Sequence, residues 1–192
     1  MLRVIGSSCA AWLIIAGCFG CQSNPKTETD KGAMQEELRA MERDTLQQLY
    51  AAMPGAKQAV SNAAGYAVFS NFGLKILVAG SGSGKGVAVD NKTGNVTYMR
   101  MAEVQAGLGM GAKKFKLVWV FETPDKLDEF INKGWTLGGQ ATAAAKAGDK
   151  GAAMQGAVAV APGVWVYQIT EAGLAAELTA KGTKYYKDDG LN

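Results

Sequence analysis

The sequence predicts an α+β fold: a strongly curved, mainly antiparallel β-sheet or barrel-like core, with an N-terminal amphipathic helix and one further helix near residues 124–132. Three observations carry that expectation. Between Ala33 and Met53 the apolar residues Met34, Leu38, Met41, Leu46, Leu49 and Tyr50 recur at three- and four-residue spacing, the period of an α-helix. From Gly65 the period changes to two, and turn residues separate short apolar runs as they do between half-buried strands. Glycines alternate along two of these runs, at Gly80, Gly82, Gly84 and Gly86 and at Gly107, Gly109 and Gly111, so in extended chain each set occupies one strand face. Faces without side chains suit a sheet that bends sharply or lets a ring or another backbone approach closely.

The N-terminal stretch MLRVIGSSCAAWLIIAGC has one basic residue, Arg3, then an apolar run from Ala10 to Ala16 and a small-residue exit. That pattern describes an export signal over residues 1–17. The exit, Ile15-Ala16-Gly17-Cys18, resembles the bacterial lipoprotein cleavage box, in which Cys18 takes a diacylglyceryl group. Phe19 stands where an aspartate would retain a lipoprotein in the inner membrane, which points to the periplasmic face of the outer membrane. Cys18 and Cys21 also form a CxxC, but redox pairs of that kind follow a strand, and zinc would need further Cys or His ligands. Residues 18–30 read as a lipidated N-terminus and polar tether, and residues 31–192 as the domain.

Pro54-Gly55 ends the first helix, and a shorter helical piece is expected over Ala56–Ala63. Strands are expected near Tyr66–Ser70, Lys75–Ser81, Lys85–Asp90, Val96–Met101, Val104–Ala112 and Phe115–Glu122. Asn91 to Asn95 carries the Gly and Asn of a tight hairpin. Thr123-Pro124-Asp125 opens the later helix and Gly134 closes it, with Leu127, Phe130 and Ile131 as its apolar face. Further strands are expected near Ala157–Ala161, Val164–Thr170, Ala175–Ala180 and Lys184–Lys187.

Composition narrows the function. The 192 residues include no histidine, which removes the commonest general base and imidazole metal ligand. No paired carboxylates stand at a recognisable catalytic spacing, so an enzyme is not expected. The net charge of +3 is too small, and the basic residues too scattered, for a nucleic-acid partner. Ala79 to Val89, AGSGSGKGVAV, looks like a phosphate loop but fails as one: the first Walker glycine falls on Ala79 and the hydroxyl position is Gly86. No nucleotide and no cofactor are expected.

Gly65-Tyr66-Ala67-Val68-Phe69, Asn71-Phe72-Gly73, the Gly80 to Gly86 series and Gly107-Leu108-Gly109 through Ala112 together resemble the SYLF domain family. The resemblance runs on through Phe130 to Trp135, Leu137-Gly138 and the segment Gly173 to Thr183. It departs at Ala176, usually Gly, and at Lys181, usually acidic. It implies a non-enzymatic module that binds membrane lipids. Actin binding, a property of some eukaryotic members, is not carried to an exported bacterial chain. The expected partner is therefore anionic membrane phospholipid. Lys113, Lys114 and Lys116 form the densest basic cluster, and Lys75 and Lys85 complete the candidate lipid-binding set. The alternative is a structural or interaction protein of the envelope, with an unknown protein partner and lipid as anchor only.

Overall fold

The computed structural model describes residues 27–76, 79–106, 111–137, 154–170, 173–175 and 182–192. Helices α1 (Glu28–Ala52) and α2 (Gly55–Asn62) precede four long strands, β1 (Gly65–Ile76), β2 (Ala79–Asp90), β3 (Val96–Ala106) and β4 (Gly111–Phe121). Helix α3 (Pro124–Asn132) follows, then β5 (Trp135–Leu137), β6 (Val158–Ala161), β7 (Val164–Thr170), β8 (Gly173–Ala175) and β9 (Thr183–Lys187). The proposed export signal, Cys18, Gly107 and Gly109 and residues 176–180 of an expected strand lie outside the described residues.

Helix α1 starts five residues earlier than its apolar period, inside the stretch read as tether. Thr27 accepts a hydrogen bond from the Asp30 amide at 3.1 Å, and Glu28 and Asp30 sit at the positive end of the helix dipole. A capping sequence is polar, so composition alone cannot separate it from a linker. The expected strands over Lys75–Ser81 and Val104–Ala112 are also corrected. Instead of six short strands there are four long ones, since glycines that look like breaks are ladder positions: Gly80 pairs with Lys75, Gly82 with Gly73, and Gly84 with Asn71.

All described pairings are antiparallel, in the order β5-β9-β3-β2-β1-β4-β7-β6, with β8 also paired to β7. The sheet is nearly barrel-shaped. In a flat sheet β4 and β5 would be five strand spacings apart, about 24 Å. Yet the rings of Trp119 on β4 and Trp135 on β5 lie 6.2 Å apart, and Trp119 is 4.8 Å from Tyr185 on β9. The curled inner face is filled by Phe69, Met99, Met101, Leu117, Trp119, Phe121 and Tyr185. Helix α3 seals it, its buried Phe130 standing 4.9 Å from Phe121 and 5.1 Å from Trp119.

The alternating glycines of β2 make this curvature possible. A Cβ on Gly86 would collide with the Phe69 ring and the Val68 carbonyl, and one on Gly84 would stand 2.8 Å from Met101 Cγ. Phe69 pairs directly across from Gly86, so the ring lies over the bare strand. Gly82 instead makes room for a buried polar pair, Asn71 Nδ2 donating to Glu103 Oε2 at 2.6 Å.

On the outer face Val68, Val87, Val118, Val120, Tyr167 and Ile169 meet Leu38 and Leu49 of α1 and Ala56 and Val60 of α2. Polar contacts fix the position of α1. Glu42, almost wholly buried, pairs with Arg39 and accepts from the Tyr66 hydroxyl at 2.6 Å. Burial, and then that hydrogen bond, raises the Tyr66 pKa far above the ordinary tyrosine value. At the other end of the chain, the Asn192 side chain bonds to both the amide and the carbonyl of Tyr98, at 3.0 and 2.9 Å. Leu191 is fully buried, and its carbonyl accepts from Gln35 of α1 at 2.7 Å. Arg100 and Asp188 pair at 2.6 Å beneath this clasp.

Candidate functional site

Strand register assembles the site. Lys85, Ser70, Lys116 and Ile169 form one row across β2, β1, β4 and β7. Val87, Val118 and Ile169 belong to the core cluster of the outer face, so strand alternation turns Lys85 and Lys116 to that face, toward α1. Along β4 this face passes from the buried Val120 and Val118 to Lys116 and then to the exposed Lys114. A groove of about 350 Å³ results.

Its walls are Gln48 of α1, Lys114 and Lys116 of β4, and Ser70 and Thr170 of the neighbouring strands, with Asn71, Phe115 and Ile169 completing the lining. Lys116 Nζ donates to Asp44 Oδ2 at 2.6 Å and to Gln48 Oε1 at 3.3 Å. Gln48 Nε2 in turn donates to the same Asp44 oxygen at 2.9 Å, across one helical turn. The Lys116 hydrogen bond holds the Asp44 carboxyl below the ordinary aspartate value. Lys114 is exposed at the groove.

The five expected lipid-binding lysines therefore occupy different environments. Lys114 and Lys116 share the groove. Lys85 stands two strands away in the same row, half-buried under α1 with its Nζ 2.8 Å from Met34 Sδ. Lys113 pairs with Gly73, and Lys75 with Gly80 and Gly111; their side chains lie outside the described residues. Strand alternation separates Lys113 from Lys114 and Lys116 on β4, so three lysines adjacent in sequence do not form one patch by backbone position. Asp44, Gln48, Ser70 and Thr170 were absent from the sequence-based set. The four-residue spacing of Asp44 and Gln48 marks a common helix face, but nothing in the sequence says that this face meets β4.

The groove offers two ammonium groups, an amide, hydroxyls and an apolar floor, a set suited to holding an anion that carries an apolar portion. Among the described residues no group of three or more Cys, Asp or Glu is placed to hold a metal. Among them, too, no helix is long and apolar enough to cross a membrane.

Two comparisons bear on this architecture. The chain is similar to beta cell expansion factor A of Aeromonas veronii, with 31% identity over 170 residues, covering 88% of this chain and 61% of that protein. It thus spans about three fifths of the length of that curated relative. The family model Ysc84, described as a Las17-binding protein actin regulator, matches residues 102–192, from the middle of β3 to Asn192. That match takes in β4 with its lysines, α3, the β7 edge of the groove and the clasp at Asn192, so the C-terminal part of the chain is similar to the Ysc84 (SYLF) family.

Proposed function

We propose that the protein is a lipid-binding module of the bacterial cell envelope that engages anionic phospholipid surfaces through the groove beside α1. The observation that carries this reading is the convergence of Lys114 and Lys116 on an apolar-floored groove of headgroup size. Anionic headgroups meet the ammonium groups, and Ile169, on the same outer face, lines the space where the apolar part begins. The similarity to the SYLF family is consistent with lipid binding. In this proposal the mature chain starts at an acylated Cys18, anchored at the periplasmic face of the outer membrane, and the polar segment after it lets the domain reach the surface.

A protein lacking residues 1–21 has no anchor, so any vesicle binding comes from the folded domain. Cosedimentation should rise with phosphatidylglycerol content and fall with salt, whose Debye length is roughly 8 Å at physiological ionic strength. Each lysine near an anionic surface contributes about 1 kcal/mol, so Lys114→Ala with Lys116→Ala should weaken partitioning by roughly five- to thirtyfold. An unchanged double variant would move the site elsewhere.

A second reading, an envelope interaction protein, is favoured by the end of β3, where the outward-facing Ala102 and Val104 are exposed, Val104 to 71%. Failure of the wild-type domain to bind anionic vesicles at low salt would select that reading.

A further inference from the structure

Lys116 faces the groove, but its charge is already engaged by a carboxylate of the same chain. Asp44 Oδ2 stands 2.6 Å from Lys116 Nζ, the distance at which a headgroup phosphate oxygen would stand. Gln48, one turn along α1, holds both partners, donating to Asp44 at 2.9 Å and accepting from Lys116 at 3.3 Å. Both members of the pair reach solvent, with side chains 26% exposed for Lys116 and 56% for Asp44. An arriving anion can therefore reach the lysine, and the aspartate can turn back to water at little cost. The other contacts that hold α1 to the sheet and the chain's far end, at Glu42, Leu49 and Gln35, do not involve the groove. Asp44 can thus release Lys116 without the helix leaving the sheet.

We infer that Asp44 is an internal competitor for Lys116: its carboxylate occupies the place of the anionic headgroup and sets the affinity of the groove. The inference rests on the groove reading proposed above and adds the residue that tunes it. A headgroup must displace Asp44 to gain Lys116. Wild-type affinity is accordingly lower than two lysines would give, and removal of the competing charge raises it.

The test is a double-mutant cycle on the anchor-free domain, which retains every described residue. Partitioning onto phosphatidylglycerol-containing vesicles is measured for wild type, Asp44→Asn, Lys116→Ala and the double variant, with neutral phosphatidylcholine vesicles beside them. Asp128→Asn, on α3, makes the same change in net charge away from the groove. Asp44→Asn should strengthen binding to the anionic vesicles about two- to fivefold, less at high salt. It should have no effect on neutral vesicles. In the Lys116→Ala background the gain should vanish, because the two residues act through one another. A gain that persists without Lys116, or that Asp128→Asn reproduces, would reduce Asp44 to a general charge effect and overturn the inference. Unchanged or weaker binding by Asp44→Asn would also overturn it, showing that Asp44 orients Lys116 for the ligand. If wild type and Asp44→Asn both ignore anionic vesicles, the groove reading fails and this inference with it.

Discussion

Two glycine-to-alanine changes in this protein should alter stability in opposite directions. Gly86 lies on β2 between Phe69 and Met99 of the flanking strands, and its missing side chain is the space that the Phe69 ring fills. The first atoms a Cβ would meet are the Val68 carbonyl oxygen and ring carbons of Phe69. Neither can step aside freely: the carbonyl belongs to the β1 backbone, and the ring is wedged 4.9 Å from Tyr185 and 6.1 Å from Phe130. Overpacking of this kind costs about 1–3 kcal/mol. Alanine regains about 0.4–1 kcal/mol by restricting the unfolded chain, which is too little to reverse the sign. A domain of this size loses about 2–4 °C per kcal/mol, so Gly86→Ala should melt several degrees below wild type. Gly32 sits in the exposed first part of α1 with nothing within 4 Å of its Cβ position and ordinary helical backbone. There alanine should add up to about 1 kcal/mol of helix propensity. Thermal melts followed by circular dichroism, with urea titration to check that the transition stays cooperative, measure both. Gly86→Ala at or above the wild-type midpoint would refute the claim that the alternating glycines exist for close packing.

Two further substitutions test how α1 and the end of the chain are held. Leu191→Ala removes a fully buried side chain from the outer cluster and should cost about 2–4 kcal/mol, read as a lower urea midpoint at unchanged slope. Arg39→Ala strips the cation from the buried Glu42 and should cost about 2 kcal/mol, below the range for fully buried pairs because the Arg39 side chain is 31% exposed. Glu42→Gln, which keeps an acceptor for the Tyr66 hydroxyl and leaves no buried charge, should cost less than Arg39→Ala; the reverse order in chemical melts would deny that the carboxylate is what needs compensation.

Several elements were legible because local rules govern them. The 3.6-residue period found α1, the Thr-Pro-Asp signal found the start of α3, and Gly94, at φ +74° in the hairpin after Asp90, is a turn glycine of the kind that Asn91 to Asn95 announces. Strand β7 occupies the residues expected, Val164–Thr170, since a β-branched and aromatic run bounded by Pro-Gly has few other solutions. Glycine alternation also told that one face of β2 is bare, and both Gly84 and Gly86 turn out to be covered by large neighbours.

The sequence by itself determined the types of the helices and the longer strands, the curvature and the positions where charge interrupts an apolar strand, because these follow from periods of two and 3.6 residues and from the sterics of glycine and proline; the three-residue strands β5 and β8 are too short to show a period. Only the tertiary structure decided how long the strands are, since a glycine within a ladder and a glycine in a turn look alike until a partner strand is present. It also decided which lysines share a site. Lys113 and Lys114 are neighbours in sequence but belong to opposite series of one strand, whereas Lys116 meets Asp44 across 72 positions of chain. A groove wall is built from register and helix docking, which are long-range choices set by the sum of many packed side chains, and no local spacing encodes them.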